Sequence, residues 1–359
     1  MPESSPIISV TGCLFALLVL AGCGKPAQTP AERLQAADEE VRSLLVKARE
    51  EEEAGRYTET LALADSLLSR APDLPEAHML LGSLLMHTYQ LALADEAFAQ
   101  AVSLDPYLRD GWFRRGHVAF EEGQYSEAIR RYRLQREAIL SSPEHIRAFY
   151  RRTDAAMLSQ AWAQTGRTYE LLHLPDSAAW AYDEALMHDS TNAQVHAWLA
   201  ELYDEEGRTE EALPHARRAW DYDGGNADFA YRLGALLLKT GDAEDALPLL
   251  ERAAYAKPYE SAFRYNYGRA LIALGDVEEG QRHVDATEAL QELDSQIGLA
   301  RAAAAYSPDD PAKWRALANW LALAGRHAEQ QQALAVARVA SRAAAARKRA
   351  EEVTMEEPP

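Results

Sequence analysis

Cysteine is scarce in this 359-residue sequence, and the familiar motifs of catalysis are missing from it. The two cysteines, Cys13 and Cys23, both lie near the start. The patterns HExxH, GxSxG and GxxxxGK followed by Ser or Thr do not occur. The ten histidines are scattered, and the closest pair with a loop between them is His188 and His196, at positions that we expect to pack between helices. We therefore expect no catalytic residues, no metal site and no cofactor.

Positive charge is also in short supply. The chain has 37 Lys and Arg residues against 56 Asp and Glu residues, which gives a formal net charge of −19. Nucleic acids are bound mainly through clustered basic side chains that neutralise phosphates, so we expect no nucleic-acid partner. The same acidity would repel an anionic membrane surface, so a membrane-bound form would need another means of attachment.

A long apolar run is absent, but a short one lies near the start of the sequence. Residues 13–20 read CLFALLVL, well below the roughly 20 apolar residues that a membrane-spanning helix needs. This length is typical of the apolar region of a secretion signal. The run ends in LAGC at residues 20–23, which resembles the lipobox of bacterial lipoproteins. The resemblance implies that residues 1–22 are a signal peptide and that Cys23 becomes the lipidated first residue.

This interpretation predicts where the protein resides. Cleavage before Cys23 leaves no second cysteine, so neither an internal disulfide nor a cysteine-based metal site is possible. We expect residues 23–40 to be the lipidated cysteine and a linker, and the lipid to hold the protein in the cell envelope. Gly24, where inner-membrane lipoproteins carry Asp, favours the periplasmic face of the outer membrane. The alternative is a buried N-terminal helix, and residues 1–12 indeed lack the Lys or Arg usual in a signal.

A period of 34 residues runs through most of the remaining sequence. It separates Gly207, Gly241 and Gly275, and also Pro72 and Pro106. The period and its residue types resemble the tetratricopeptide repeat, whose unit is a helix, a tight turn and a second helix. The resemblance implies an all-α protein, a right-handed α-solenoid with a C-terminal capping helix. We expect a superhelical rod in which each unit contacts only its neighbours.

About eight units fit residues 41–337, and two of the steps between units contain 16 extra residues. We expect the first extension, near residues 143–158, to lengthen the first helix of unit four. We expect the second, near 292–307, to lengthen the second helix of unit seven. Residues 338–359 should hold the end of a capping helix and a disordered tail. The units begin near Val41, Pro75, Arg109, Ser159, Ala193, Ala227, Ser261 and Pro311.

In this repeat family the inner face of the first helices lines a groove that holds extended peptides or helices. When the groove-facing positions of the family are assigned to each repeat of this sequence, they predict two apolar patches separated by a polar stretch. Aromatic and methionine side chains are favoured at binding hot spots, although they could instead pack within the solenoid core. The predicted groove residues are Met79, Met86, Phe113, Phe120, Arg167, Glu201, Tyr231, Leu238, Tyr265 and Ile272.

These features together predict an interaction protein and not an enzyme. In plan the chain resembles the lipoproteins of outer-membrane barrel assembly and of pilus biogenesis, which also place tetratricopeptide units behind a lipobox. The resemblance implies an adaptor in cell-envelope assembly, with barrel, pilus or secretion proteins bound as a peptide or helix in the concave groove. The alternative is a regulator that recruits enzymes of peptidoglycan synthesis or hydrolysis.

Overall fold

The structure, a computed structural model, describes the backbone of residues 27–356 and the side chains of residues 27–345. The expected signal peptide and Cys23 lie outside the described residues, as do residues 357–359. Within that part of the chain every regular element is an α-helix. In chain order the helices are α1 (Pro30–Ala36), α2 (Glu39–Glu53), α3 (Tyr57–Arg70), α4 (Pro75–His87), α5 (Leu91–Leu104), α6 (Gly111–Glu121), α7 (Tyr125–Ser141), α8 (Glu144–Tyr150), α9 (Asp154–Leu171), α10 (Pro175–His188), α11 (Ala193–Glu205), α12 (Thr209–Tyr222), α13 (Ala227–Thr240), α14 (Ala243–Ala256), α15 (Ser261–Ala273), α16 (Val277–Asp285), α17 (Thr287–Tyr306), α18 (Pro311–Leu323) and α19 (His327–Glu356).

Sixteen of these helices pair into eight helix-turn-helix units, which confirms the predicted all-α solenoid. The first helices of the units are α2, α4, α6, α9, α11, α13, α15 and α18, and each packs against the helix that completes its unit. The second helices of the first six units also pack against the first helix of the following unit, as α5 does against α6 and α14 against α15. One unit cannot bury its own apolar face, so the core is a continuous layer shared between units.

Close contact within a unit depends on a glycine in the first helix. In unit two the ring of Phe98 lies where a side chain on Gly82 would be, because a Cβ on Gly82 would come within 2.5 Å of a ring atom. The same arrangement recurs with Tyr132 against Gly116 and with Tyr182 against Gly166. The fully buried rings therefore occupy space that only glycine leaves open.

The turn inside each unit needs a residue with positive φ. Glycine provides it in six units, as at Gly55 with φ 68° and Gly207 with φ 74°. In the other two units the position is taken by Tyr89 with φ 58° and His173 with φ 57°. A left-handed conformation costs a residue with a side chain about 1 kcal/mol or more, so both turns carry local strain.

The first extension differs from the single lengthened helix that we expected. Helix α7 ends at Ser141, since Pro143 has no N–H to continue it, and the separate short helix α8 follows. A second break separates α8 from α9. Arg109 lies beside that break, where its Nε donates to Asp154 Oδ1 at 2.8 Å and its guanidinium lies 4.6 Å from the centroid of the Tyr150 ring.

The second extension is also divided into two helices. Helix α16 ends at Asp285 and α17 begins at Thr287, so unit seven has a short second helix followed by a separate 20-residue helix. Helix α16 approaches α15 very closely, because a Cβ on Gly268 would lie 2.7 Å from the carbonyl oxygen of Gly280. Helix α17 then packs chiefly against α18.

The expected linker contains an ordered helix. Thr29 and Glu32 form a capping box at the start of α1, and α2 begins at Glu39. Arg33 fixes α1 to the solenoid, since its Nη2 donates to Glu76 Oε1 at 2.6 Å and its Nη1 to Asp105 Oδ2 at 2.7 Å. Both carboxylates are buried, so α1 is part of the folded body and not a free tether.

The last unit returns to the first two, and we call this contact the seam. Tyr57 and Leu84 share a buried apolar cluster with Trp314, Leu321 and Val336. Helix α19 lies against α3 across the same contact. The expectation that each unit contacts only its neighbours is therefore wrong. A small rotation between successive units adds up over eight units until the end of the solenoid meets its beginning.

Candidate functional site

The first helices line the concave side of the solenoid. Four pairs of successive first helices contact each other directly, namely α2 with α4, α9 with α11, α11 with α13 and α13 with α15. The second helices contact chiefly the first helices on either side of them. In a curved stack the side with the closer spacing is the concave one, so the groove is built from first helices.

The N-terminal patch of the groove contains Met79, Met86, Phe113 and Phe120. All four side chains are half-buried and pack on buried residues of their own or neighbouring units. The Phe113 ring centroid lies 5.5 Å from that of the buried Tyr132. Each side chain packs on the core on one side and is exposed on the other. These residues are therefore neither purely core nor purely surface, and they form the floor of a groove above the core.

The C-terminal patch contains Tyr231, Leu238, Tyr265 and Ile272. The Tyr231 ring stacks on Phe263 with 4.2 Å between centroids, and its hydroxyl accepts a hydrogen bond of 3.1 Å from the side-chain amide of Asn266. The Tyr265 side chain is 41% exposed. This patch is therefore held rigidly at Tyr231 and is open at Tyr265.

The charged side chains of the polar stretch between the patches form ion pairs with one another. Glu201 bridges two arginines, with 3.8 Å to Arg167 and 3.2 Å to Arg232. Asp204 accepts from Lys239 Nζ at 2.6 Å. Each of these pairs joins neighbouring first helices. The pairs fix the spacing of three consecutive units and leave little uncompensated charge at the centre of the groove.

The sequence interpretation named Arg167 and Glu201 in this stretch but missed the basic side chains Arg232 and Lys239. Arg232 lies one 34-residue period after Trp198, and Lys239 lies one period after Glu205. Extending the register to every groove position, and not to two positions per unit, would have identified both residues.

A cluster of ionisable side chains beside the N-terminal patch was also missed. Nε2 of His87 lies 3.9 Å from Oε1 of Glu52, and the His87 ring stacks on Tyr57 with 5.3 Å between centroids. Burial raises the pKa of the Glu52 carboxyl, an effect that Arg114 opposes. Burial and the nearby Arg114 lower the pKa of His87. A neutral imidazole beside a half-buried carboxylate gives this end of the groove hydrogen-bonding capacity next to its apolar floor.

The histidine pair from the sequence is not brought together. His196 is buried and lies 3.0 Å from His215, Nδ1 to Nδ1, while His188 lies exposed at the end of α10. Among residues 27–345, no group of three or more His, Cys, Asp or Glu side chains has the geometry to hold a metal ion. None of the helices of the described chain is long and apolar enough to cross a membrane.

Comparison with known proteins identifies the repeat. Models of the tetratricopeptide repeat match residues 45–109, 205–258 and 237–299. No curated protein matches the sequence.

Solved structures share the fold at low sequence identity. A structure described as the functional characterisation of Pseudomonas aeruginosa pilF has 17% identity and a TM-score of 0.52, over 63% of this chain and 96% of that one. A chain of the APC/C hetero-tetramer Cut9–Hcn1 has 13% identity and a TM-score of 0.53, over 73% of this chain and 48% of that one. The repeat matches and the paired helices show that the chain carries tetratricopeptide repeats, and these solved structures share its fold.

Proposed function

We propose that this protein is a lipid-anchored adaptor of the cell envelope, attached through Cys23 and binding a peptide or helix of another envelope protein in its concave groove. The LAGC sequence at residues 20–23 supports the anchor. The tetratricopeptide repeat fold, typically a non-catalytic scaffold for protein–protein interaction, supports the adaptor role.

The observation that carries the proposal is the half-buried state of the groove side chains. Phe113 and Phe120 are packed on one side against their own unit and open on the other. Tyr231 and Leu238 are also packed on one side only, Tyr231 against Phe263 of the next unit. Rigid apolar surface of this kind binds with little loss of side-chain entropy, because the rings are already ordered. The ion pairs between the patches hold the two patches at a fixed separation. A partner that occupies both patches would therefore need two anchor residues at that same separation.

The groove is tested by the double variant Phe113→Ser, Phe120→Ser. The matched control is Tyr255→Ser, Tyr306→Ser, which removes two exposed rings, 68% and 91% accessible, outside the groove. We expect both variants to keep the helical circular dichroism signal. The groove variant should lose co-purification of its partner from solubilised envelopes, and the control should keep it. If the two variants retain the partner equally, the groove is not the binding site.

The identity of the co-purified proteins decides which envelope process the adaptor serves. Barrel, pilus or secretion components would support assembly, whereas peptidoglycan synthases or hydrolases would favour the regulatory alternative. The anchor has its own test, since Cys23→Ser should abolish incorporation of radiolabelled fatty acid in the native host. Incorporation that persists in the variant would contradict the lipobox interpretation.

A further inference from the structure

Helix α8 has no counterpart in the other units, and it lies where the chain enters the folded body. Nε2 of His145 lies 2.8 Å from the carbonyl oxygen of Ala27, the first described residue. Arg33 holds the following helix α1 against Glu76 and Asp105. The entry point of the chain is thus fixed beside α8.

The proposed anchor residue is close to this entry point. Cys23 precedes Ala27 by four residues, and four residues span at most about 14 Å. The ordered α1 occupies much of the linker that the sequence predicted at residues 23–40. If lipid is attached at Cys23, the surface around α8 cannot be far from the bilayer.

The surface of α8 combines exposed apolar and basic side chains. Phe149 is 51% exposed and Leu140, at the end of α7, is 61% exposed. Arg147, Arg151 and Arg152 are exposed beside them, and none of the three forms an ion pair with another residue of 27–345. Arg147 Nη1 donates to the carbonyl oxygen of Leu140 at 3.2 Å. Glu144 is the one acidic residue between positions 143 and 153. In a chain with a formal net charge of −19, this is a local reversal of charge.

We infer that α8 and the adjoining end of α7 form a docking surface for an anionic phospholipid bilayer. Exposed arginines are attracted to anionic headgroups, and Phe149 and Leu140 supply apolar side chains that can insert at the interface. A lipid anchor and a basic patch together give stable and oriented attachment. The edge of units three and four then faces the membrane. The inference adds an orientation to the proposed function, but the attraction of α8 for lipid does not depend on lipidation of Cys23.

The test uses the full chain carrying Cys23→Ser, so that no acyl chain contributes. Binding is measured by flotation with vesicles of phosphatidylcholine alone and with vesicles containing phosphatidylglycerol. The apolar run at residues 13–20 is uncharged, so the difference between the two lipid compositions isolates the electrostatic part. We expect binding that depends on phosphatidylglycerol and weakens with salt.

Two triple variants with the same change of charge separate the patch from the protein as a whole. The first is Arg147→Glu, Arg151→Glu, Arg152→Glu. The control is Arg217→Glu, Arg218→Glu, Arg282→Glu, at exposed positions on α12 and α16. We expect the first variant to lose at least tenfold in binding to phosphatidylglycerol vesicles and the control to lose much less. Equal losses, or no loss in either, would overturn the inference.

The apolar component has its own variant. Phe149→Ser should weaken the binding that remains at high salt, whereas Tyr255→Ser, which removes a comparably exposed ring from α14, should not. Thermal unfolding of every variant checks that the fold is retained.

If the triple arginine variant keeps its vesicle binding but loses its co-purified partner, α8 is a protein-binding surface and the membrane assignment is wrong.

Discussion

Tyr89, in the turn of unit two, packs against Trp314, in the first helix of unit eight, with 5.0 Å between ring centroids. The contact joins the two ends of the solenoid. Tyr89 is also one of the two turn residues that replace glycine, with φ at 58°. The backbone strain at Tyr89 is tolerated because its ring packs against a residue far away in the sequence. This unusual turn residue therefore helps to close the seam.

The seam is only partly filled. An open cleft of about 320 Å³ lies between Tyr89 and the last unit, and its walls include Trp314, Leu317 and Arg326. Arg326 Nε donates to Glu329 Oε1 at 2.6 Å at its edge. A contact with this much open space gains less dispersion energy than a packed core, so closure of the seam depends on few side chains.

The first prediction is that Tyr89→Gly opens the seam. Glycine suits the positive φ, so the turn of unit two should form more easily than before. The lost ring contact, worth about 1 kcal/mol or more with its buried area, should release unit eight. Small-angle X-ray scattering should show a larger radius of gyration with unchanged helical content.

The control for this variant is His173→Gly, which makes the same backbone change at an exposed turn away from the seam. Relief of the left-handed strain should raise its free energy of unfolding by about 1 kcal/mol, with an unchanged radius of gyration. A Tyr89→Gly protein that is as compact as the parent would mean that other contacts close the seam.

The periodic part of the structure could be predicted from the sequence, and the reason is local. Gly82 and Phe98 lie in the same unit, so the 34-residue pattern already contains the residues that pack together. The groove positions follow from the same register, which is why Phe113 and Tyr231 lie on first helices as expected.

The features that sequence reasoning missed depend on distant contacts. The seam arises from small rotations that accumulate along the stack, and no single unit contains a signal for it. The docking of α1 depends on Arg33 meeting Glu76 and Asp105 from two other units. Tyr89 and His173 did offer a local signal, since they stand where the other units have glycine.

The second prediction concerns the glycine that faces a ring. Gly82→Ala should lower the free energy of unfolding by about 1–3 kcal/mol, because its Cβ would lie 2.5 Å from the Phe98 ring. Adding Phe98→Leu should lower the free energy of unfolding by less in the Gly82→Ala background than in the parent, as measured by a double-mutant cycle in denaturant.

Gly298→Ala is the control. Its Cβ meets nothing within 4 Å in α17, so helix propensity should make it stabilising by about 0.5–1 kcal/mol. Additive effects of the two changes in unit two would contradict the packing described for it.

The third prediction concerns the attachment of α1. Arg33→Gln leaves the buried Glu76 and Asp105 without their charged partner, which should cost about 3 kcal/mol in the free energy of unfolding. Proteolysis within residues 27–38 should become faster. Arg70→Gln removes an exposed pair with Glu40 and should change stability by about 0.5 kcal/mol or less. If the two variants unfold alike, α1 is not held by Arg33.

The fourth prediction is a loss of stability in acid through His196 and His215. Nε2 of His196 lies 3.1 Å from the carbonyl oxygen of Ser190, which can only accept, so this nitrogen carries the proton. Nδ1 of His196 then accepts from Nδ1 of His215 at 3.0 Å. Burial, followed by the nearby His196 and Arg218, lowers the pKa of His215 to about 4. Burial also lowers the pKa of His196.

Because both pKa values are depressed in the folded state, the unfolded chain binds protons more readily as the pH falls below about 6.5. The stability that the neutral pair provides is therefore present at pH 7 and is lost progressively towards pH 4. The glutamine in His215→Gln cannot titrate. Between pH 7 and pH 5 we therefore expect the free energy of unfolding of this variant to fall by about 1–2 kcal/mol less than that of the parent, after allowing for solvent screening.

Urea denaturation at the two pH values measures the difference. His188→Gln, at an exposed position, should keep the acid sensitivity of the parent. An identical pH dependence in the parent and in His215→Gln would show that the buried pair does not contribute to acid unfolding.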